Sequence, residues 1–402
     1  MRGAIGAAKA RSTPRLAHAT LAGLCAILVG IGFARFTYTP LLPALIEHGW
    51  FAVADAAYLG AANLAGYLAG ALGARRLAAW TSVPFAMRSM MLLASASFFA
   101  CATPLSFLWF FVWRFASGVA GAVLMVLAAP AILAGAPPHR RGFVGGLIFV
   151  GVGIGIIVGA ALVPLLLRLG LPETWIGLGL LSLVLTGVAW SGWPMEATRP
   201  KSAPTAQGAF SRPLVGIYLA YGLNAVGLVP HMVFLVDFVA RGLGQGVAVG
   251  ALYWILFGVG ALAGPIMTGS VADRIGFGLA LRLALVVQAA AILLPLISGQ
   301  AGALAVSSII VGAFTPGVVP LVLGRVRETV VDDAETQRAA WSFCTVAWAL
   351  GQAVGAYGLS FLFARTGGDY RLLFVVGSGM LLVALAFDLS VGRANRRRAA
   401  PP

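Results

Sequence analysis

"LAGLCAILVGIGFARFTYTPLLPALI", residues 21–46, is apolar over almost its whole length and carries one charged residue, Arg35. A helix of about 20 apolar residues crosses the hydrocarbon core of a bilayer, so this run predicts a transmembrane helix. It is too long and too unbroken for a barrel strand, which would alternate in polarity over about ten residues. The stretch therefore indicates a helical membrane protein in which another group compensates the charge of Arg35.

The rest of the chain repeats this pattern. Of 402 residues, 60% are hydrophobic and 10% are charged, and the mean hydropathy is +0.96, whereas soluble chains carry about 25% charged residues. Apolar runs separated by short polar joints predict twelve membrane spans, at residues 16–46, 51–74, 83–104, 105–135, 143–168, 172–193, 213–239, 247–272, 277–298, 301–324, 338–364 and 370–391. The expected fold is therefore all-α.

The net charge of +15 is explained by topology rather than by a nucleic-acid partner. Basic residues concentrate on the inner side of membrane proteins. With an inner N-terminus, only Arg168, Arg241, Arg365 and Arg371 lie outside. The inner side then collects Arg2, Lys9, Arg11, Arg15, Arg75, Arg76, Arg140, Arg141, Arg199, Lys201, Arg212, Arg274, Arg282, Arg325, Arg327, Arg338, Arg393, Arg396, Arg397 and Arg398. We expect a multi-pass protein of a bacterial inner membrane, in contact with lipid, with both termini in the cytoplasm.

The chain divides into two similar halves. The polar segment "PMEATRPKSAPTAQGAFSR", residues 194–212, separates six spans in residues 1–193 from six in residues 213–402 and predicts a cytoplasmic loop between two six-helix bundles. "PLLPALIE" (residues 40–47) matches "PHMVFLVD" (residues 230–237), and "GALGAR" (residues 70–75) matches "GSVADR" (residues 269–274). Two matches in the same order indicate an internal duplication.

The segment "GSVADRIG", residues 269–276, resembles the G-x-x-x-D-R-x-G loop between the second and third helices of the major facilitator superfamily. In the first half, Ala74 replaces the acid of this motif, while Arg75 and Arg76 remain. The resemblance implies a gating loop in each half, formed by Arg75 and Arg76 and by Asp273 and Arg274.

Two further segments resemble motifs of the same superfamily. "RFASGVAG", residues 114–121, is similar to its arginine-glycine motif, which the resemblance associates with proton coupling through Arg114. "GVGIGIIVGA", residues 151–160, is similar to its antiporter motif, but Ile156 replaces the proline and Ala160 the last glycine. Because these small residues lie inside an apolar span, they indicate close helix packing rather than a phosphate-binding loop.

The opening segment "GFARFTYTPLLP" (residues 32–43) and "GYLAGALGARR" (residues 66–76) look like the YbfB/YjiJ branch of the superfamily, and the likeness extends over essentially the whole chain. It implies twelve transmembrane helices in two six-helix bundles. It also implies that the first, second, fourth and fifth helices of each half line a central cavity.

Several polar residues lie at a similar distance from the inner ends of their predicted helices. At 1.5 Å per residue, Arg35 and His231 lie about 27 Å, and Arg114 about 30 Å, from the inner ends of their spans. Tyr253 and Trp254 fall at about that level. An arginine facing lipid at this depth costs at least about 2.5 kcal/mol, so the cavity implied by the resemblance is the expected surrounding of these residues.

Each of these residues also has a structural interpretation. Arg35 could extend toward the outer surface or bond carbonyls near Pro40 and Pro43. Arg114 could tie two helices, and His231 could be a packing histidine. A proton relay through His231 and Asp237, which lie six residues apart, is an alternative hypothesis.

Uncharged polar side chains complete the candidate binding set. They are Tyr38, Asn63, Asn224 and Gln352, and each could instead bond a neighbouring helix. Cys25, Cys101 and Cys344 are expected to be packing residues, and Arg88 and Asp388 interfacial ones, with Asp388 a partner for the basic C-terminal tail. The sequence contains no catalytic constellation or metal-ligand cluster, so no enzyme, metal or cofactor is expected.

These patterns predict a secondary transporter that alternates access to a central site. Two arginines at one depth favour a small organic anion or carboxylate-bearing metabolite, with protons as a candidate coupling ion. Proton-coupled efflux of drugs or metabolites is the alternative, motivated by the partial antiporter motif. A non-transporting receptor or membrane enzyme is the third hypothesis.

Overall fold

A computed structural model describes residues 16–38, 41, 44, 45, 48–194, 208–331 and 333–399, and these residues form helices without any strand. The long helices are α1 (Leu16–Phe33), α2 (Val53–Trp80), α3 (Val83–Ala100), α4 (Phe107–Leu133), α5 (Arg141–Leu167), α6 (Leu171–Ala189), α7 (Arg212–Phe234), α8 (Val247–Ile275), α9 (Phe277–Ile297), α10 (Ala301–Thr329), α11 (Ala334–Arg365) and α12 (Tyr370–Ala399). The predicted all-α fold is confirmed.

Eleven helices in the described part of the chain are long and apolar enough to cross a membrane. The exception is α2, which carries Asp55, Asn63, Arg75 and Arg76 within its 28 residues. The chain is a multi-pass membrane protein.

Several helix ends are set by side chains that accept hydrogen bonds from backbone N–H groups. Ser82 and Ser106 cap α3 and α4 in this way, because the first N–H groups of a helix have no partner within it. Helix α11 begins four residues before the predicted span, at Ala334, since the Asp333 carboxylate accepts from the backbone of Glu335 and Thr336. The hydrogen bonds from Thr336 hold the pKa of the Asp333 carboxyl below its ordinary value.

The chain forms two compact units, Met1–Ala203 and Pro204–Pro402, which contain α1–α6 and α7–α12 respectively. Unit 1 packs α2 against α4, and unit 2 packs α8 against α10. A Cβ atom at Gly66 would lie 2.0 Å from the Phe115 carbonyl oxygen, and one at Gly260 would lie 2.0 Å from the Ile309 oxygen. Each crossing therefore requires glycine, and the two units share the same packing.

Helix positions give the register of the internal repeat. The second, third and fourth helices of the two units begin 194 residues apart, at Val53 and Val247, at Val83 and Phe277, and at Phe107 and Ala301. Gly70 therefore corresponds to Gly264 rather than to Gly269, so the predicted match of residues 70–75 with 269–274 was wrong by five residues. The other predicted match begins at Pro40, which lies outside the described residues.

The first helix of each unit contains a π-helical stretch instead of the regular helix that the sequence predicted. Leu28–Phe33 ends α1 in this form, and Pro230–Phe234 does so in α7. Proline lacks the N–H that a regular helix needs, which accounts for the distortion at Pro230. A short helix, Leu235–Asp237, and a second π-helical turn, Phe238–Gly242, continue α7. Such stretches loosen the backbone hydrogen-bond ladder and often occur at functional sites.

Glycines of the fifth helix in each unit pack against the first. A Cβ at Gly155 would lie 2.1 Å from the Gly32 Cα, and one at Gly351 would lie 2.2 Å from the Gly222 oxygen. The packing interpretation of the segment 151–160 is confirmed.

Candidate functional site

Arg114 lies on α4 in the interior of unit 1, where its residue is only 3% exposed. Its Nη1 donates to the Ala34 carbonyl oxygen at 2.8 Å, directly after the π-helical end of α1. The guanidinium carbon lies 4.2 Å from the centre of the Tyr38 ring. Among the described residues, no carboxylate forms an ion pair with Arg114. The charge is thus held by a carbonyl and an aromatic face.

Arg35 is half-buried one residue after Ala34. Its guanidinium carbon lies 5.6 Å from the ring centre of Phe36 and 5.7 Å from that of Tyr67, which projects from α2. Contacts of a cation with aromatic faces contribute about 0.5–1 kcal/mol at exposed sites and more when desolvated. Arg35 and Arg114 therefore both lie against aromatic rings around the end of α1.

Asn63 links α2 to the same region. Its Nδ2 donates to the Ser117 hydroxyl at 2.8 Å and to the Arg114 carbonyl at 3.4 Å. The Ser117 hydroxyl in turn donates to that carbonyl at 2.7 Å. Asn63 on α2 thus bonds the α4 backbone at Arg114. This is the bond to a neighbouring helix that the sequence predicted as the alternative to solute binding.

His231 lies in the π-helical stretch of α7 in unit 2 and is 1% exposed. Its Nε2 lies 2.6 Å from the Ser307 hydroxyl, which donates to the Ala291 carbonyl at 2.7 Å. Because that hydroxyl hydrogen is already used, the oxygen accepts and the imidazole proton resides on Nε2. The ring meets Phe374 edge-on at 5.3 Å, and Nδ1 is buried without a hydrogen-bond partner.

The two polar amides of unit 2 each meet another helix. Asn224 donates to the Gln288 side-chain oxygen at 2.9 Å. Gln352 on α11 donates to the Met232 sulfur at 3.0 Å. The structure therefore places Gln352 beside Met232, which follows His231 in the chain. Asn224 instead bonds to Gln288 on α9.

Tyr253 is buried on α8, and the half-buried Trp254 stacks on Phe257 with ring centres 4.7 Å apart and planes at 11°. The Asp237 side chain lies outside the described part of the chain, so the relay through His231 and Asp237 stays a prediction.

The four residues expected in gating loops lie in helices. Arg75 and Arg76 are inside α2, which continues to Trp80, and Asp273 and Arg274 form the end of α8. They therefore lie in the last turns of these helices, before connections that consist only of residues 81–82 and Gly276, and their gating role stays a prediction.

Asp388 is fully buried and does not serve the basic tail as the sequence suggested. Its two oxygens accept from Arg282 Nε at 2.7 Å and from Arg325 Nε at 3.2 Å. Arg325 also pairs with Glu328 at 3.4 Å, and Glu328 accepts from the first two N–H groups of α9. That interpretation of Asp388 was wrong, because Arg282 lies on α9, which packs against α12, and Arg325 on α10 reaches the same carboxylate.

Sequence reasoning missed Trp113 and Trp175, which line a narrow cleft of unit 1 together with Arg114. It read Arg88 as an interfacial residue, and the structure shows its Nε donating to the Trp190 carbonyl at 2.8 Å. Arg88 and Arg282 lie 194 residues apart, so both units tie this position of their third helix to their last helix. With the 194-residue register, the bond of Arg88 to the end of the last helix in unit 1 predicts that Arg282 contacts the last helix of unit 2.

The described residues form twelve long helices in two repeated units, which is the fold of solved transporters of the major facilitator superfamily. The chain belongs to the family described as "uncharacterised MFS-type transporter YbfB", whose model matches residues 27–389. This family and its structural relatives are transporters rather than enzymes.

Solved structures of transporters share the fold. FucP in an outward conformation has 16% identity and a TM-score of 0.71, over 92% of this chain and 98% of that one. The proton:xylose symporter XylE bound to 6-bromo-6-deoxy-D-glucose has 13% identity and a TM-score of 0.75, over 94% and 95%. A variant of the E. coli fucose:proton symporter FucP has 15% identity and a TM-score of 0.66, over 92% and 98%. No curated protein matches the chain.

Proposed function

We propose that this secondary transporter carries a small organic anion, of the class of carboxylate-bearing metabolites. The observation that supports this substrate class is Arg114, a buried guanidinium without a carboxylate partner among the described residues. Arginine stays protonated in proteins, so this positive charge is fixed. An anionic solute supplies the missing partner.

The energetics favour an anion over a neutral solute. Removing an ion from water costs several kcal/mol even after relaxation, and one carbonyl and one ring do not neutralise a full charge. A carboxylate presents two acceptor oxygens that match the planar fork of a guanidinium. Arg35, one residue beyond the carbonyl that holds Arg114, adds a second positive charge in the same region.

The proposed solute contacts are polar or aromatic residues that are buried or half-buried within their own unit. They are Arg35, Tyr38, Asn63 and Arg114 in unit 1, and Asn224, His231, Tyr253, Trp254 and Gln352 in unit 2. Arg35 and Arg114 would bind the carboxylate, the aromatic rings would contact the solute body, and the amides would orient it.

Protons are the proposed coupling ion, with His231 and Asp237 as the groups that take up the proton and Arg114 as a fixed charge that takes part in the coupling. The fold relatives XylE and FucP are described as proton symporters. The basic residues that the sequence gathers on one side support a bacterial inner-membrane location with both termini in the cytoplasm.

The experiment that tests the substrate class is uptake into liposomes by the purified full-length protein, with a panel of labelled carboxylates, neutral sugars and lipophilic cations. We expect carboxylate uptake that falls about 30-fold or more in Arg114→Ala, because truncating one partner of a desolvated charge pair costs about 2–5 kcal/mol. Arg168→Ala, at an exposed position after α5, serves as the control and should transport normally. Uptake of cations alone, unchanged by Arg35→Ala, would end the anion proposal.

Efflux in exchange for protons is the second candidate. It is supported by the glycines of residues 151–160, which pack α5 closely against α1. Expression in a pump-deficient strain tests it, because an exporter should protect the cells against some toxic compounds of a broad panel. Absence of protection across the panel would contradict efflux.

A further inference from the structure

Helices α3 and α6 are the least buried of the five apolar helices of unit 1. In their most apolar stretches 44% and 39% of the residues are buried, compared with 65–72% for α1, α4 and α5. The two helices pack against each other. Both expose large apolar side chains, among them Phe85, Leu92, Val184 and Val188. In a multi-pass membrane protein such a surface lies against the acyl chains of the bilayer.

Arg88 lies on this exposed surface. Phe85 and Leu92, three residues before it and four after it, share its face of α3. The 18 residues of α3 span about 27 Å, which is close to the thickness of the hydrocarbon core. Counted from Val83, Arg88 lies about 7.5 Å into the helix. From that depth a long basic side chain reaches the headgroup region of the bilayer.

Two contacts hold the guanidinium of Arg88 at the end of α6. Its Nε donates to the Trp190 carbonyl oxygen at 2.8 Å, and its guanidinium carbon lies 5.1 Å from the centre of the Trp190 ring. The last carbonyls of a helix lack partners within it and carry partial negative charge, which favours a cation at this place. The guanidinium therefore has a defined position beside an exposed indole ring.

The charge of Arg88 has no acidic partner among the described residues. It forms no ion pair there, and its two terminal nitrogens donate to no protein oxygen. Helix α3 contains no acid, and the single acid of α6, Glu173, lies in its first turn, about 25 Å along the helix from Trp190. The corresponding arginine of unit 2, Arg282, is instead paired with the buried Asp388. Unit 2 thus neutralises this position with an internal acid, and the described part of unit 1 does not.

We propose that Arg88 and Trp190 bind the phosphate headgroup of an anionic phospholipid, whose acyl chains lie against the exposed apolar side chains of α3 and α6. The terminal nitrogens of a guanidinium form a planar fork that matches two oxygens of a phosphate. An indole ring is suited to the interface between membrane and water. A phospholipid satisfies both the charge and the apolar surface, whereas inorganic phosphate satisfies only the charge.

This site goes beyond the proposed transport activity. The lipid is a bound neighbour of unit 1 and not the transported solute, and Arg114, which the transport proposal assigns to the solute, takes no part in it. The lipid would also strengthen the contact between α3 and α6.

The test is thermal unfolding of the purified, delipidated full-length protein in detergent, with phosphatidylglycerol or phosphatidylcholine added. We expect phosphatidylglycerol to raise the midpoint temperature in a saturable manner, and phosphatidylcholine and inorganic phosphate to have little effect. In Arg88→Gln the phosphatidylglycerol concentration for half effect should rise about tenfold, because hydrogen bonds from a charged group are lost. The quantity compared is the response to lipid, since Arg88→Gln also alters the bond to the Trp190 carbonyl and so the basal stability.

Arg168→Gln is the matched control, because it removes the same charge at an exposed position after α5. Its response to phosphatidylglycerol should equal that of the wild type. Glu196 follows α6 in the sequence and lies outside the described residues. Glu196→Gln should also respond like the wild type, and a lipid response gained only in this variant would assign the neutralisation of Arg88 to that acid and overturn the proposal.

Native mass spectrometry of the wild-type protein gives a second measurement that needs no variant. We expect phosphatidylglycerol to stay bound at collision energies that remove phosphatidylcholine. Equal retention of the two lipids, an equal loss of response in Arg168→Gln, or stabilisation by inorganic phosphate as strong as that by phosphatidylglycerol would contradict the site. The lipid response does not require transport, so its failure is distinguishable from failure of the carboxylate uptake assay.

Discussion

Replacing Asp388 with Asn removes a carboxylate that Arg282 and Arg325 share in the interior of unit 2. The Asp388 side chain is 0% exposed, and the side chains of Arg282 and Arg325 are 20% and 9% exposed. The substitution keeps the volume of the side chain and removes its charge. Glu328 then remains the acid bonded to Arg325, and Arg282 loses its acidic partner.

The expected loss of stability is about 3–5 kcal/mol, the range measured when one partner of a buried ion pair is removed. Two hydrogen bonds to a charged group, at about 1.5–3 kcal/mol each, give an overlapping range of about 3–6 kcal/mol. The double variant Asp388→Asn, Arg282→Gln should recover part of this loss, because it removes the excess positive charge together with the acid. Residues that share a network show coupling energies of about 0.5–3 kcal/mol.

The assay is thermal unfolding of the purified proteins in detergent, combined with the yield of folded protein. Asp333→Asn is the control, since it removes the charge of an exposed acid and keeps a side chain that caps α11. A shift for Asp388→Asn no larger than that of the control would refute the structural role of the buried acid. A double variant as unstable as the sum of both single variants would refute the coupling.

The remaining predictions concern packing, a buried hydrogen bond and pH. Gly155→Ala places a methyl group against the α1 backbone and should cost about 1–3 kcal/mol or abolish folding, whereas Gly187→Ala, where a Cβ meets nothing within 4 Å, should leave the unfolding temperature unchanged. Ser307→Ala leaves the buried imidazole of α7 without its acceptor and should cost about 1–3 kcal/mol; Ser308→Ala removes only a bond within α10, and an equal effect would contradict the assignment. The lowered pKa of Asp333 means that its stabilisation is complete above the pKa of the unfolded chain and is lost as pH falls through the lower folded value, so an acid titration of unfolding temperature should flatten in Asp333→Asn.

The helical framework could be predicted from the sequence because each span is a long apolar run between polar joints. The segment 83–104, for example, corresponds to α3 at Val83–Ala100, whose start is set by the Ser82 cap. The register of the repeat could not be predicted, since short motif matches are weak and α2 continues beyond its arginines. The separation of 194 residues follows from the starts of the second to fourth helices and from the matching crossings at Gly66 and Gly260.

The buried polar clusters were predicted in part. Depth along the helix predicted that Arg114 and His231 lie within the membrane span. Charged and polar side chains at that depth usually face the interior of the helix bundle rather than lipid, which predicted their burial. Their hydrogen-bond partners could not be predicted from the sequence. The Ala34 carbonyl is an acceptor for Arg114 because α1 ends there in a π-helix, and the Ser307 partner of His231 lies on another helix. Asp388 was misjudged because sequence distance placed it near the basic tail, while packing placed it beside Arg282 and Arg325.

The most direct test of the central claim, that Arg114 is the cation of an anion-binding site, is equilibrium binding of labelled carboxylates to the purified protein and to Arg114→Gln. We expect saturable binding to the wild-type protein that weakens about 30-fold or more in the variant, while the unlabelled neutral isostere of the ligand fails to compete. Equal affinity for both proteins, or full competition by the neutral isostere, would contradict the claim.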